Sequence, residues 1–431
     1  MAGPIIVVQP GSCNKSTSSP KRGNLGEPFF SGPLAWIVIE SIEYISLAEA
    51  SGYGLSAQCY MRALEHRGVE VYWLPLFNSP RGYRDKSDEG ELAYRVRKLR
   101  HAYIDSGLFN VTARTRGYCR NLERDVVLHH TVPELWDLYW DPRTVNIGYT
   151  VWETSAIPAH WNRLCERMDR VLVPSRFSKA AFCATQPEEK IDVVPHIARD
   201  IASDSYGARY FRELYGIPTN HYVFYTISAW NIRKSPWLTL HAYLQAFSNK
   251  DPVTLVIKTG LLGDQHYDSV KRGRTRDFVE KIVANYPDAA DIRLIDHEIP
   301  CDEVDALHTT GDCYVALPHG EGWALGAFEA GTAGNPVLIT GWGGQLDYLS
   351  PEIAFMVDYS LRNVRHALAP QSYSAGQQWA WPDIDDAIDK FRWIHQNQEK
   401  ARERGAGLQR FIQARFSEEQ VGRRLVEALT A

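Results

Sequence analysis

The sequence predicts an α/β protein with two parallel sheets in two successive domains. Three observations carry that expectation. From about residue 34 onward, short β-branched runs alternate with longer helical stretches, the pattern of parallel strands joined by crossover helices. The length of 431 residues is two to three times the roughly 150 residues of one domain. A turn-rich break, Ala198–Thr219 with Gly207, Gly216 and Pro218, divides the alternation into two series.

Residues 9–32 are rich in Gly, Ser and Pro, so residues 1–32 read as a poorly ordered extension. The first series supplies strands at Leu34–Ile39, Val69–Leu74, Asp125–Leu128, Val145–Tyr149, Arg170–Val173 and Ile191–Val194. Gly52-Tyr53-Gly54 opens a helix, Leu55–Arg67, between the first two. These elements make one domain, residues 33–205. The second series is Tyr222–Ile227, Thr254–Lys258, Ile292–Ile295, Cys313–Ala316, Val337–Thr340 and Ala354–Val357, in a domain spanning 206–414. A last helix, Ser417–Ala428, lies in the remaining segment 415–431. The two halves share no sequence repeat.

Composition excludes several classes of function. With 44% hydrophobic and 23% charged residues the chain is not globally disordered. A net charge of −5 speaks against a dedicated nucleic-acid binder. The seven scattered cysteines contain no C-x-x-C pair, so neither a disulfide framework nor a zinc site is expected, and a reducing compartment fits. No apolar run approaches the 18 or so residues of a membrane span, and no signal-peptide pattern follows Met1. A cytoplasmic protein is the expectation. Residues 81–124 carry eleven Lys/Arg against six Asp/Glu. This basic stretch reads either as a solvated helical face or as a strip for peripheral contact with the inner face of an anionic membrane, or with an acceptor.

The segment from Cys313 to Tyr348 is the most informative. A strand runs into Pro318-His319-Gly320-Glu321-Gly322, then a helical run Trp323–Ala333, then a second strand. A glycine-containing turn entering a helix gathers unpaired backbone N–H groups at one point, which suits a diphosphate. Glu321 and Glu329 lie eight residues apart. On a continuous helix that is roughly 80° of rotation. Glu321 falls at the mouth, and Glu329 two turns in, where a carboxylate can accept from two vicinal hydroxyls.

The run H-G-E-G-W-A-L-G-A-F-E-A-G-T-A-G-N-P-V resembles the donor-site signature of retaining glycosyltransferases of the GT-B fold, in the group called glycosyltransferase family four. Relative to the usual signature, Trp323 replaces Phe and Ala324 replaces Gly. Other segments match in order across residues 34–430. Tyr222–Phe247 resembles the family's first donor-domain strand, basic pair and helix, with Ala229 where many members carry an arginine. Ser51–Ser56, with Gly52 and Gly54, sits where the family has its glycine-rich loop. Asp125–Pro133 resembles the segment whose histidine faces the sugar, a place that His130 fits better than His129. Gly148–Phe182 resembles the acceptor-half segment ending in V-P-S-x-F-S, and Ser417–Ala428 the helix that crosses back to the first domain.

The resemblance implies two Rossmann-like domains with a cleft between them. The activity implied is transfer of a sugar, with retention, from a nucleoside-diphosphate sugar of UDP or GDP type, without a metal. The acceptor is a glycan, a lipid-linked or a small molecule, in glycan or polysaccharide biosynthesis. Glu321, His130, Lys234 and Arg233 are the implied catalytic residues. Donor contacts fall to Glu329, Gly322, Trp323, Ala324, Leu325, Gly54 and Gly52, and acceptor contacts to Trp152, Glu153 and His129. A non-catalytic scaffold, or a phosphorylase or epimerase on the same fold, are the alternatives. Asp383-Ile384-Asp385 looks like a metal-binding D-x-D but opens a helix, where acidic residues are favoured anyway.

Overall fold

The computed structural model of the chain describes residues 7–9, 35–37, 39–48, 51–76, 126–201, 205–260, 275–365 and 371–431. The basic stretch 81–124 lies outside the described residues, as does most of 1–32. Strands β1 (Val7–Gln9) and β2 (Ala35–Ile37) pair antiparallel in a small sheet of their own. The N-terminal half is a six-stranded sheet of β3 (Ser41–Leu47), β4 (Glu70–Leu76), β5 (Val126–His130), β6 (Val145–Tyr149), β7 (Arg170–Val173) and β8 (Ile191–Val193). Its order is β4-β3-β5-β6-β7-β8, parallel throughout.

The expected first strand, Leu34–Ile39, is therefore displaced. The central place belongs to Ser41–Leu47, all seven residues of which are buried. Ser41, Glu43 and Ser46 gave it a polar look, but both faces are covered and the polar groups find partners. Trp73 Nε1 donates to Ser46 Oγ at 2.9 Å, for example.

The C-terminal half repeats the plan with β9 (Tyr222–Ile227), β10 (Val253–Lys258), β11 (Asp291–Ile295), β12 (Cys313–Ala316), β13 (Val337–Thr340) and β14 (Phe355–Val357), ordered β11-β10-β9-β12-β13-β14. These runs are rich in β-branched and aromatic residues, and they form where the sequence expects them. Between the halves, the turn-rich break holds a helix, Ser205–Leu214, soon followed by Gly216 at φ +62°. An antiparallel hairpin of β15 (Tyr359–Asn363) and β16 (Gln378–Pro382) follows β14. Asp383 then caps helix Ile384–Gln396 by accepting from the Asp385 and Asp386 N–H groups, which accounts for the D-x-D.

In each sheet the chain reverses direction of build at one point, between β3 and β5 and between β9 and β12. The loops leaving the carboxyl ends of those strands are where α/β sheets bind ligands. Here the two sets of loops meet each other. One hydrophobic core is shared by Tyr60 and Tyr149 of the first half and Trp323 and Tyr348 of the second. The last helix, Glu418–Thr430, returns to helix Gly52–Glu65, with Glu418 Oε2 2.8 Å from Arg62 Nε and Arg67 Nη2 donating to the carbonyls of Glu418 and Glu419. No described helix is long and apolar enough to cross a membrane.

Candidate functional site

Two neighbouring strands, β9 and β12, deliver the charged groups. After β9 the chain turns through Asn231–Ser235. Asn231 Oδ1 accepts from the Lys234 N–H at 2.9 Å, and Ser235 adopts a left-handed conformation (φ 39°) with its hydroxyl donating to Leu317 O at 2.6 Å. This turn aims Arg233 and Lys234 at the loop that follows β12. Lys234 Nζ lies 2.6 Å from Glu321 Oε1, and Arg233 Nη1 lies 3.3 Å from Glu321 Oε2 while donating to Gly320 O at 2.8 Å. Arg233 Nη2 reaches across to Glu153 Oε1 of the N-terminal half at 3.3 Å. Tyr373, from the segment before β16, completes the group with its hydroxyl 3.5 Å from Glu153 Oε2.

Two cations and two carboxylates are thus enclosed together. Burial pulls the Lys234 ammonium below its usual pKa, against the attraction of Glu321. Burial also opposes the Arg233 charge, but Glu153 and Glu321 outweigh it and hold the guanidinium above its ordinary value. The Glu153 carboxyl is pushed up, chiefly by burial, with Arg233 working the other way. Such perturbed, mutually dependent charges at a strand switch point mark a candidate functional centre.

The N-terminal half presses close on this loop. A Cβ on Gly320 would stand 2.1 Å from Glu153 O, and one on Gly322 would stand 2.1 Å from Val151 Cγ1 and 2.9 Å from Trp152 O. Ser175, the cap of helix Arg176–Cys183, donates from Oγ to Gly322 O at 2.8 Å. A Cβ on Gly52 would stand 3.1 Å from Leu325 Cδ1, and Gly54 is buried with its N–H on Ser51 Oγ. What stands closest to Gly52, Gly320 and Gly322 is the opposite half. Glu321, expected at the mouth, is accordingly only 6% exposed.

Glu321 and Glu329 do not share a helix. Helix Leu325–Thr332 begins after Ala324, which sits at φ 65°, ψ 66°. This left-handed position explains the glycine of the usual signature, and Ala324 bears strain of about 1–2 kcal/mol there. Ala324→Gly is expected to change stability by less than about 1 kcal/mol, since relief of strain is offset by the freedom of glycine in the unfolded chain. Ala324→Val should cost more than about 2 kcal/mol, because a β-branched residue tolerates that backbone poorly. Urea unfolding of the two variants distinguishes these outcomes.

Glu329 belongs to a second charged group. Its Oε1 accepts from Arg199 Nε at 2.6 Å, its Oε2 lies 3.5 Å from His308 Nε2, and Arg199 Nη2 lies 2.6 Å from Asp305 Oδ1. Burial raises the carboxyl, but Arg199 and His308 prevail and hold its pKa at about 2. A carboxylate depressed in this way contributes stability above its ordinary pKa of 4.5, and that contribution vanishes as pH falls toward 2. The amount is about 3 kcal/mol. Glu329→Gln should lack that portion of the acid-induced loss, read as a flatter dependence of the urea midpoint on pH between 5 and 2.

The remaining expected residues lie in the packed interior. His130 is fully buried, with Nδ1 2.7 Å from Tyr44 Oη and Nε2 3.2 Å from Ser56 Oγ, so neither ring nitrogen is free for a sugar. Burial, aided by His196, keeps it neutral well below its usual pKa. His129 is equally buried and bonds Asn146 Oδ1 at 3.1 Å; burial lowers its pKa to about 4. Trp152 directs Nε1 to Ala156 O at 2.6 Å and stacks on Tyr373 at 5.3 Å. Trp323 packs against Tyr348 at 5.0 Å and Phe416 at 5.4 Å, and offers no face to a ligand.

Sequence reasoning did not single out Tyr373, Arg199, Asp305 or His308. Tyr373 lies in a Gly/Ser-rich stretch with no motif, and Arg199 sits in the expected inter-domain break, where charge is ordinary. It also missed the support under Arg233. The His319 N–H donates to Arg233 O at 2.7 Å, and the His319 ring stacks with Trp379 (4.8 Å) and Trp381 (4.6 Å) of β16.

No protein-family model matches the chain, and no curated protein matches it in sequence. Solved structures do. HepE of Anabaena, solved with UDP-glucose, is 14% identical with a TM-score of 0.61, covering 90% of this chain and 99% of its own. Sucrose-phosphate synthase of Thermosynechococcus elongatus is 14% identical at TM-score 0.64, covering 90% and 98%. WaaG, a glycosyltransferase involved in lipopolysaccharide biosynthesis, is 11% identical at TM-score 0.57, covering 90% and 100%. Likeness at this level of identity concerns the backbone alone, and it agrees with the two parallel six-stranded sheets: the chain has the GT-B fold of two Rossmann-like domains.

Proposed function

We propose that the protein is a glycosyltransferase that moves a sugar, with retention of configuration, from a nucleoside-diphosphate sugar to an acceptor hydroxyl in glycan or polysaccharide biosynthesis. The observation that carries this reading is the placing of Lys234 and Arg233 on Glu321 at the switch point of the C-terminal sheet, directly beneath the N-terminal half. HepE was solved with UDP and glucose, on the same fold, which favours UDP over GDP as the nucleotide.

In the reaction, the bond from the anomeric carbon to the diphosphate oxygen breaks and a bond from the acceptor oxygen forms on the same face. The acceptor proton passes to the departing diphosphate oxygen. Lys234 and Arg233 stabilise the charge that grows on that oxygen, in a site where water does not screen them. Two fixed cations fill the electrostatic role that a metal ion fills elsewhere, so the reading requires no metal. Glu321 holds both cations in place and faces the donor sugar, while Glu329 accepts from the ribose hydroxyls. Glu153 is the carboxylate nearest the acceptor side. His130 underlies the Tyr53–Ser56 turn and acts as a support rather than a contact. The boundaries 33–205 and 206–414 serve as acceptor and donor domains, with 415–431 returning to the first.

The diphosphate must take over part of the present pairing between cations and carboxylates. A mass-spectrometric screen of sugar nucleotides for hydrolysis or transfer tests the proposal. Release of UDP or GDP from one of them is expected. Absence of turnover across the panel, together with absence of nucleotide binding, would leave a non-catalytic scaffold as the better description.

A further inference from the structure

Glu153 is the most weakly held charge of the central group. Glu321 has both cations, Lys234 at 2.6 Å and Arg233 at 3.3 Å. Among the described residues Glu153 pairs with Arg233 alone, its Oε1 lying 3.3 Å from Nη2. Its other oxygen has the Tyr373 hydroxyl at 3.5 Å, a length at which little hydrogen bonding is left. The backbone does not carry the side chain away from the site. The Glu153 carbonyl abuts Gly320, and the residues on either side are tied down, Trp152 by Nε1 on Ala156 O and Ser155 by its N–H on Gln378 O.

The charged and titratable groups that face Glu153 are Arg233 and Lys234 after β9, Glu321 after β12, Tyr373 before β16 and Tyr53 of helix Gly52–Glu65. Burial raises both phenols, which stay neutral. Two cations therefore balance two carboxylates. A diphosphate that binds Arg233 and Lys234 adds negative charge and brings no cation. Glu321 has two cations to share with it, whereas Glu153 has one. An enclosed carboxylate that loses its partner takes up a proton rather than stay ionised. Burial already pushes this carboxyl up, Arg233 is the main force against that, and Glu321 adds to the rise.

We propose that donor binding converts Glu153 from a carboxylate paired with Arg233 into a neutral carboxylic acid, one proton being drawn from solvent as the diphosphate takes over the guanidinium. The proton returns to solvent when the nucleoside diphosphate leaves and the Glu153–Arg233 pair re-forms. In between, Glu153 offers the acceptor side an O–H donor in place of a negative charge. The inference rests on the glycosyl-transfer reading and adds a proton to its donor-binding step.

A proton taken up on binding makes affinity strengthen as pH falls, between the carboxyl's higher pKa in the complex and its lower one in the free chain. Within that window Kd should drop about tenfold per pH unit, and outside it Kd should level off. Isothermal titration of the full chain with UDP-glucose, UDP-N-acetylglucosamine and GDP-mannose tests this, run from about pH 5 to 8 in pairs of buffers of unequal ionisation enthalpy. A diphosphate esterified at both ends does not itself titrate there, unlike the terminal phosphate of free UDP, with a pKa of about 6. The sugar nucleotide that binds is expected to bring in about one proton at the maximum. Glu153→Gln, the uncharged counterpart, should bring in none and should bind at least about tenfold more tightly than the wild type at the basic end. If that variant does not fold, infrared difference spectra of the wild type decide: nucleotide should raise the C=O band of a protonated carboxyl, and its absence counts against the proposal. Binding without proton uptake overturns the inference and leaves the proposed function standing. So does uptake that survives Glu153→Gln, which would belong to Lys234 or His319. Failure of every sugar nucleotide to bind overturns the two together.

Discussion

Lys234→Ala is expected to lower turnover of the sugar nucleotide by about 10²- to 10³-fold, a rise of about 3–4 kcal/mol in the barrier. The ammonium lies 2.6 Å from Glu321 and is the more solvent-facing of the two cations, its side chain 24% exposed. Its loss leaves Arg233 on both Glu321 and Glu153, so no buried carboxylate is stranded. The thermal unfolding midpoint should therefore move little while kcat collapses. Substrate binding is expected to weaken less than kcat falls, because the charge that Lys234 offsets is greatest in the transition state. Full activity in the folded variant would remove Lys234 from the mechanism.

The largest structural effect is expected at Gly344. A methyl group there would stand 1.8 Å from Gly322 O and 2.7 Å from Ser175 Oγ. Gly322 O already accepts from Ser175, so the backbone has nowhere to withdraw without parting the two halves. Gly344→Ala should destabilise the protein by more than about 4 kcal/mol or prevent folding, which belongs to the exceptional end of single substitutions. Gly376→Ala, where nothing lies within 4 Å of the added atom, serves as the matched control and should unfold like the wild type. Equal urea midpoints for the two variants would show that Gly344 is not closely packed on Gly322 and Ser175.

Strands with a run of β-branched or aromatic residues were legible at Val145–Tyr149, Arg170–Val173 and Tyr222–Ile227, because burial on both faces leaves an unbroken apolar signal. Ser41–Leu47 was not, since its polar residues are satisfied by partners far away in the chain, such as Trp73. The resemblance of Tyr222–Phe247 and of the Glu321 segment to the family's donor motifs implied that Lys234, Arg233 and Glu321 come together, as they do. Which carboxylate meets which cation was not. Glu329 turned to Arg199 because Ala324 breaks the helix and separates it from Glu321. Likewise His130 carried a motif, but Tyr44 and Ser56 close both of its nitrogens. Local spacing shows where a side chain starts, and the partners that claim it come from residues tens to hundreds of positions away.

Hairpin β15–β16 and the segment leading into it belong to the C-terminal half but fasten to the other. The Ser155 N–H donates to Gln378 O at 3.0 Å, the Gln378 N–H returns to Ser155 Oγ at 2.8 Å, and Tyr373 lies flat on Trp152. The polypeptide link and the returning last helix already join the halves elsewhere. A body bolted in several places does not swing on one pivot. Separating Glu153 from Arg233 would also break these two hydrogen bonds and unstack this pair of rings.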